Sequence, residues 1–201
     1  MSREEFLRLI EYPNEERHIE FKENAPWKGN SKNKITKSII SMSNLRDGGW
    51  IIFGKKEKAD KSYENVGVSQ STYEGYINDD VKAYVYSHAQ PPIELELFKE
   101  EVEGKKYVGL RIHGLGETPH ICFKQEGKTL LKGKIYGRSQ RIPESAEIQN
   151  YIEMKEIIDV CVDNALTSYL QRMNRAGIAV VSSKIILSEK EKFNNEARDI
   201  I

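Results

Sequence analysis

Glu15, Glu16 and Glu20 cluster around a short alternating segment, and Glu57 follows a second, apolar segment that begins at Trp50. Carboxylates gathered at the ends of neighbouring strands repel one another unless a divalent cation or shared protons relieve the repulsion. Mg²⁺ or Mn²⁺ takes oxygen ligands and keeps water positions open, which suits phosphodiester hydrolysis. In a chain with 31 acidic residues, glutamates at strand ends are more often solvated surface. The residues alone leave both readings open.

The segment 124–141 carries Lys124, Lys128, Lys132, Lys134, Arg138 and Arg141 against a single acid, Glu126. Lys22, Lys28, Lys32, Lys34 and Lys37 form a second basic run. Lysines contact phosphates, and the interleaved Trp27 and Tyr136 supply faces on which unpaired bases stack. A solvated hairpin and a solvated helix face account for the same residues. His18, His88, His113 and His120 are scattered and read as structural. Gly48, Gly49 and Gly54 do not form the GxxxxGK[ST] pattern of a phosphate loop.

These groups need elements to position them. Residues 3–12 read as a short helix stopped at Pro13-Asn14, and His18–Lys22 alternates as a half-buried strand with Ile19 and Phe21 on one face. A helix is expected over 34–45, then a turn at Asp47-Gly48-Gly49 and an apolar strand Trp50–Phe53. Val66–Val68 reads as a short strand, and Tyr73, Ile77, Val81, Tyr84 and His88 as one helix face. Strands follow at 93–98, 107–112, 120–124 and 129–136, the first two joined through Glu103-Gly104-Lys105. From Ile148 to Met173 apolar residues recur every three or four positions, giving an amphipathic helix of about 30 residues. The fold class is α+β: a mixed sheet with packed helices, followed by a long C-terminal helix. The expected division is a domain over 1–143 and a helical extension over 144–201, whose tail holds apolar runs at 178–181 and 185–187.

A chain of 201 residues with 31 basic and 31 acidic side chains is long enough for a sizeable core and carries no histone-like basic excess. It lacks an apolar run of the ~20 residues a membrane helix needs. The opening Met-Ser-Arg-Glu-Glu is not a signal peptide pattern. Cys122 and Cys161 are isolated, which argues against a zinc site or disulfide framework. A reducing, cytoplasmic setting is the expectation.

The order of motifs resembles the Schlafen AlbA_2 domain family over roughly residues 5–146. Glu15-Glu16-Arg17-His18-Ile19-Glu20-Phe21-Lys22 is similar to the family's E-x4-E-F-K opening. Ile40–Asn44, Gly48-Gly49, Trp50–Phe53 and Gly54 follow in the place of its small-residue helix end, "GG" turn, apolar strand and "IG". Val66-Gly67-Val68 stands where the family has its short "VVG" strand. Pro119 and Tyr136-Gly137-Arg138-Ser139 resemble the closing P…Y-x-R-x-G-S pattern. The resemblance implies an RNA endonuclease whose three carboxylates, Glu15, Glu20 and Glu57, hold Mg²⁺ or Mn²⁺. Glu57 replaces the usual Asp, Lys55-Lys56 depart from the family pattern beside it, and Asp60 is an alternative third ligand.

The reading that follows is a metal-dependent endoribonuclease acting on structured, tRNA-like RNA, with a role in prokaryotic antiviral defence by analogy. Lys22 would neutralise the scissile phosphate, while Lys28, Lys34, Lys37, Lys128, Lys132, Lys134, Arg138 and Arg141 would grip the backbone. Family enzymes build a basic groove from two lobes, so this single lobe is expected to form a homodimer, or to dock on another protein, through the helix at 147–174. The alternatives are a non-catalytic nucleic-acid-binding regulator and a protein–protein module of a defence complex.

Overall fold

The computed structural model describes residues 2–139 and 144–178. Arg141, the expected boundary at 143 and most of the tail, including the run at 185–187, lie outside the described residues. Helix α1 (Ser2–Ile10) leads to β1 (Ile19–Lys22), α2 (Gly29–Ser43), β2 (Gly49–Phe53) and a small hairpin of β3 (Lys55–Glu57) and β4 (Tyr63–Asn65). Helices α3 (Gln70–Gly75) and α4 (Asn78–His88) precede β5 (Ala89–Gln90) and a long hairpin of β6 (Leu95–Val102) and β7 (Lys105–Ile112). Strands β8 (Ile121–Cys122), β9 (Tyr136–Arg138) and β10 (Ser145–Glu147) come before α5 (Tyr151–Arg175). The chain is therefore a mixed α+β fold with a C-terminal helix, as the pattern of elements implies.

The central sheet has the order β1-β2-β7-β6; β1 and β2 are parallel and the other pairs antiparallel. All five residues of β2 are buried because strands flank it and both its faces are covered. Side chains alternate between the faces. Trp50 and Ile52 join Ile19, Phe21, Tyr107 and the α1 residues Phe6, Leu9 and Ile10 in one cluster. Ile51 and Phe53 join Ile35, Ile39 and Ile40 of α2 and Val81 and Val85 of α4 in the other. The hairpin turn between β6 and β7 places both Glu103 and Gly104 at positive φ, 51° and 73°, the backbone that matches the strands' right-handed twist.

Several elements differ from the sequence-based expectation, each for a local reason. Helix α2 begins at Gly29, and Lys32 N–H already bonds to the Lys28 carbonyl; its first turn, Gly29-Asn30-Ser31-Lys32, holds no apolar side chain and so carries no apolar signal. The expected helix through Tyr73–His88 is two helices. Between them Tyr76 is extended, its ring buried and its hydroxyl donating to the Ala25 carbonyl at 2.8 Å. Val66–Val68 is not a strand: the N–H groups of Val66 and Gly67 both donate to the Gly54 carbonyl, and Gly67 has φ +71°. The strand expected at 129–136 is reduced to Tyr136–Arg138, because Gly133 and Lys134 turn back to bond with Cys122.

Contacts divide the chain into two compact units, 1–161 and 162–201. In the first, Ile157, Val160 and Cys161 pack with Leu115, Ile135 and Ile148. In the second, α5 ends at Arg175 and is closed by Gly177, φ +75°, with Gly177 N–H bonded to the Asn174 carbonyl and Ile178 N–H to the Met173 carbonyl; such a glycine satisfies the orphan carbonyls of a helix end. Among the described residues no helix is long and apolar enough to cross a membrane.

Candidate functional site

Strand β1 presents Ile19 and Phe21 to α1, which turns Glu20 toward α2. That second face is not solvent. Ser38 of α2 donates to Glu20 Oε1 at 3.0 Å, Lys22 Nζ stands 2.7 Å from the same oxygen, and Arg138 Nη1 of β9 donates to Oε2. The Arg138 side chain is fully buried and that of Glu20 nearly so. Both carboxylate oxygens are thus already engaged by cations or a hydroxyl.

Glu15 lies one turn of chain earlier and accepts the Phe21 backbone N–H at 2.5 Å. Burial pushes its carboxyl above the usual carboxylate range, while the Phe21 N–H and the Lys22 charge pull the other way. Tyr63 of β4 hydrogen-bonds Glu15, and burial, followed by the charges of Glu15 and Glu57, raises its phenol well above the ordinary value. Lys55, at the start of β3, is buried and donates to the carbonyls of Ile10 (2.7 Å) and Tyr12 (2.6 Å) where α1 ends. Burial lowers its ammonium to about 8, against the opposing charge of Glu11.

Glu15, Glu20, Lys22, Lys34, Glu57 and Tyr63 line one cleft of about 700 Å³. The four residues that the sequence nominates for chemistry, Glu15, Glu20, Glu57 and Lys22, therefore share a cavity. They do not form a cation site as arranged. Among the described residues no three Asp, Glu, His or Cys side chains come together in a way that could hold a metal ion, and the Glu20 oxygens already meet Arg138, Lys22 and Ser38. Glu57 is exposed at the end of β3, and Asp60 is bonded to Ser62.

The two basic runs meet on a neighbouring surface. Thr129 donates to the Asn30 side chain at 2.9 Å, tying the 123–134 segment to the first turn of α2. Lys37 lies over the Tyr136 ring, 5.1 Å from its centroid, and Lys132 over Phe123 at 5.7 Å. Lys28, Lys34, Lys124, Lys128, Lys132 and Lys134 are exposed and Lys37 half-exposed. Lys124 pairs with Glu126 and Lys134 with Glu147.

Two nominated residues belong elsewhere. Arg138 cannot contact a nucleic-acid backbone, because its guanidinium is buried against Glu20; its Nε atom has no partner among the described residues. Tyr136 is buried and holds its hydroxyl to Leu131 N–H at 2.7 Å, so Trp27, half-buried against Tyr76 and Tyr84, is the aromatic nearer the surface. Sequence reasoning missed Ser38, Tyr63, Lys55 and the partnership of Arg138. The period-two spacing of Tyr136 and Arg138 in a strand places both side chains on one buried face, and that was the available signal.

The Schlafen AlbA_2 family model ("Schlafen, AlbA_2") matches residues 15–147, and the chain belongs to that family. No curated protein matches the chain. Among solved structures it is similar to the DIP2311 protein of Corynebacterium diphtheriae, with 11% identity and a TM-score of 0.47 over 70% of this chain. The chain spans only 23% of that protein. It is also similar to the N-terminal domain of an ATP-dependent DNA helicase RecG-related protein of Nitrosomonas europaea, with 18% identity, a TM-score of 0.42, and coverage of 73% of this chain and 94% of that one.

Proposed function

We propose that the chain is a nucleic-acid-binding module that grips the phosphate backbone with the lysine face formed by α2 and the 123–134 segment. The observation that supports this most is the meeting of two basic runs, separated by some ninety residues, through the Thr129–Asn30 hydrogen bond. Lysines on one surface neutralise several phosphates and release counterions, which yields salt-dependent, shape-led binding with little base reading. The test is fluorescence anisotropy with labelled tRNA, single-stranded RNA and duplex DNA at several salt concentrations. Binding that weakens steeply with salt and is lost in Lys128→Glu/Lys132→Glu supports the reading; affinity unchanged in that variant overturns it.

A second reading is favoured by the sharing of one cleft by Glu15, Glu20, Glu57 and Lys22: cleavage of structured RNA such as tRNA, with Mg²⁺ or Mn²⁺, in prokaryotic antiviral defence. It ranks below binding because the carboxylates as arranged do not fit a resident cation. A gel assay of tRNA with Mn²⁺, Mg²⁺ or EDTA decides it. Discrete fragments that need metal and vanish in Glu15→Gln establish cleavage, and intact tRNA under all three conditions removes it.

A further inference from the structure

A second cavity, of about 370 Å³, opens where β1 and β2 begin, at the opposite end of those strands from the carboxylate cleft. Arg17, His18, Arg46, Asp47, Trp50 and Arg111 line it, with Glu5 of α1 beside them. Arg111 of β7 stands across from Trp50 of β2, its guanidinium carbon 5.9 Å from the indole centroid. Its Nη1 donates to the carbonyls of Gly49 at 3.1 Å and Ile112 at 2.8 Å, and its Nη2 to that of Asp47 at 3.1 Å. Arg111 is nonetheless a half-buried cation without an anion. Glu96, directly opposite on β6, meets His113 at 3.0 Å instead, and among the described residues no carboxylate pairs with Arg111. Carbonyls orient the guanidinium but carry no net charge, and three bonds leave two of its five N–H donors for another acceptor. The nearby acids are otherwise placed. Glu5 accepts the Trp50 Nε1–H at 3.0 Å, and Asp47 is exposed and engages Arg111 through its carbonyl. Arg17 is held by Glu156, so Arg111, with the exposed Arg46 and His18 at the rim, sets the sign of the cavity.

We propose that this cavity binds a phosphate monoester, carried by a nucleic-acid end or by a free nucleotide, with Arg111 as the anchoring cation. A guanidinium offers phosphate oxygens a charged, planar fork, and one already oriented by the backbone loses little freedom on binding. A phosphate monoester carries close to two negative charges at neutral pH, against one for each internal phosphodiester, so it is the group a cavity with converging cations selects. A volume of about 370 Å³ suits a group of nucleotide size and not a duplex. The inference is separate from the nucleic-acid reading, since it uses none of the lysines of that face.

Proton–nitrogen NMR titration of the full chain tests it, read at the Trp50 indole N–H in the cavity wall, with the Trp27 indole as internal control. The probes are inorganic phosphate, 5′-AMP, and one RNA oligonucleotide with and without a 5′-phosphate, each against sodium chloride of equal ionic strength. The oligonucleotides are added to the Lys128→Glu/Lys132→Glu chain, so that the lysine face adds no binding. The expected result is a saturable shift of the Trp50 signal with inorganic phosphate and 5′-AMP, absent with sodium chloride and weakened at least about tenfold in Arg111→Gln. If Arg111→Gln loses the dispersed spectrum of the folded chain, Arg46→Glu at the exposed rim takes its place, with weakening of the same order expected. A Trp50 shift with the 5′-phosphorylated oligonucleotide and not with its 5′-hydroxyl twin assigns the site to nucleic-acid ends; a shift with 5′-AMP and neither oligonucleotide assigns it to free nucleotides. The proposal is overturned by the absence of a saturable shift with any probe at about 10 mM, by shifts that sodium chloride reproduces, or by unchanged affinity in the folded arginine variant. Binding at the lysine face, present or absent, leaves this result untouched.

Discussion

Arg138 Nη1 donates to Glu20 Oε2 across 118 residues of chain, joining β9 to the first strand of the central sheet inside the protein. Both partners are buried, and Ser38 and Lys22 complete the shell around the carboxylate. Removing one member of such a pair leaves the other charge uncompensated in a low-dielectric setting, which costs more than the pair contributes relative to apolar substitutes.

Glu20→Gln therefore destabilises the fold by about 3–5 kcal/mol, read as a lower midpoint in urea denaturation. Arg138→Met costs less, because Lys22 and Ser38 still serve the carboxylate. An unchanged midpoint in Glu20→Gln would show that the pair carries no structural weight. Loss of any activity in Glu20→Gln thus reports on folding as well as chemistry, which is why Glu15→Gln is the cleaner variant for the cleavage assay.

Lys55 gives a pH signature. Its ammonium falls to about 8 in the folded chain against an ordinary value of 10.5, so between these limits the unfolded chain binds the extra proton. Stability from this group consequently rises as pH increases from about 8 to 10.5, by an amount on the order of 2–3 kcal/mol. Denaturation of wild type and Lys55→Met across that range checks it: the wild type should gain relative to the variant, and a constant difference refutes the shift.

Glu15 responds in the opposite chemical sense. Its carboxyl is raised by burial, so the stability it contributes is present in acid, below the unfolded value, and is lost as pH rises through the folded one. Carbon-detected NMR of the side-chain carboxyl should show a midpoint above that of a free glutamate. Tyr63→Phe, which deletes a bond to the charged form, should move the midpoint higher still.

Each exposed lysine of the proposed nucleic-acid face should carry one phosphate contact. Lys128→Ala and Lys132→Ala should each reduce the slope of log affinity against log salt by about 1, with equal loss across sequences. A loss confined to one sequence would mean base reading instead.

Gly48→Ala probes the turn that ends the connection from α2 to β2. Gly48 has φ +71°, and a Cβ there would stand 2.0 Å from the Ile112 carbonyl oxygen, so backbone must move. A loss of stability of at least about 1–3 kcal/mol is expected in thermal or chemical unfolding. The same change at Gly116, where nothing lies within 4 Å of the added carbon, should be near neutral.

Much of the frame was legible in the residues because it rests on local periodicity. The alternation of Ile19 and Phe21, the apolar run Trp50–Phe53 and the turn at Gly48-Gly49 specify β1, β2 and their connection without reference to the rest of the chain. The nomination of Glu15, Glu20 and Glu57 rests on the resemblance of these segments to the Schlafen AlbA_2 motifs, and with Lys22 the three line one cleft.

What tertiary structure decided is the state of those groups. Alternation placed Glu20 opposite Ile19 and Phe21, and a sequence pattern cannot tell an outward face from one covered by α2 and β9. Burial against Arg138 turned a candidate ligand into half of an ion pair and took Arg138 out of the basic surface. The two basic runs likewise meet through long-range contacts, Thr129 with Asn30 ninety-nine residues apart and Lys37 over the Tyr136 ring. Local pattern sets which side chains share a face; long-range packing sets the dielectric and the partners that face meets, and hence which charges remain available for chemistry.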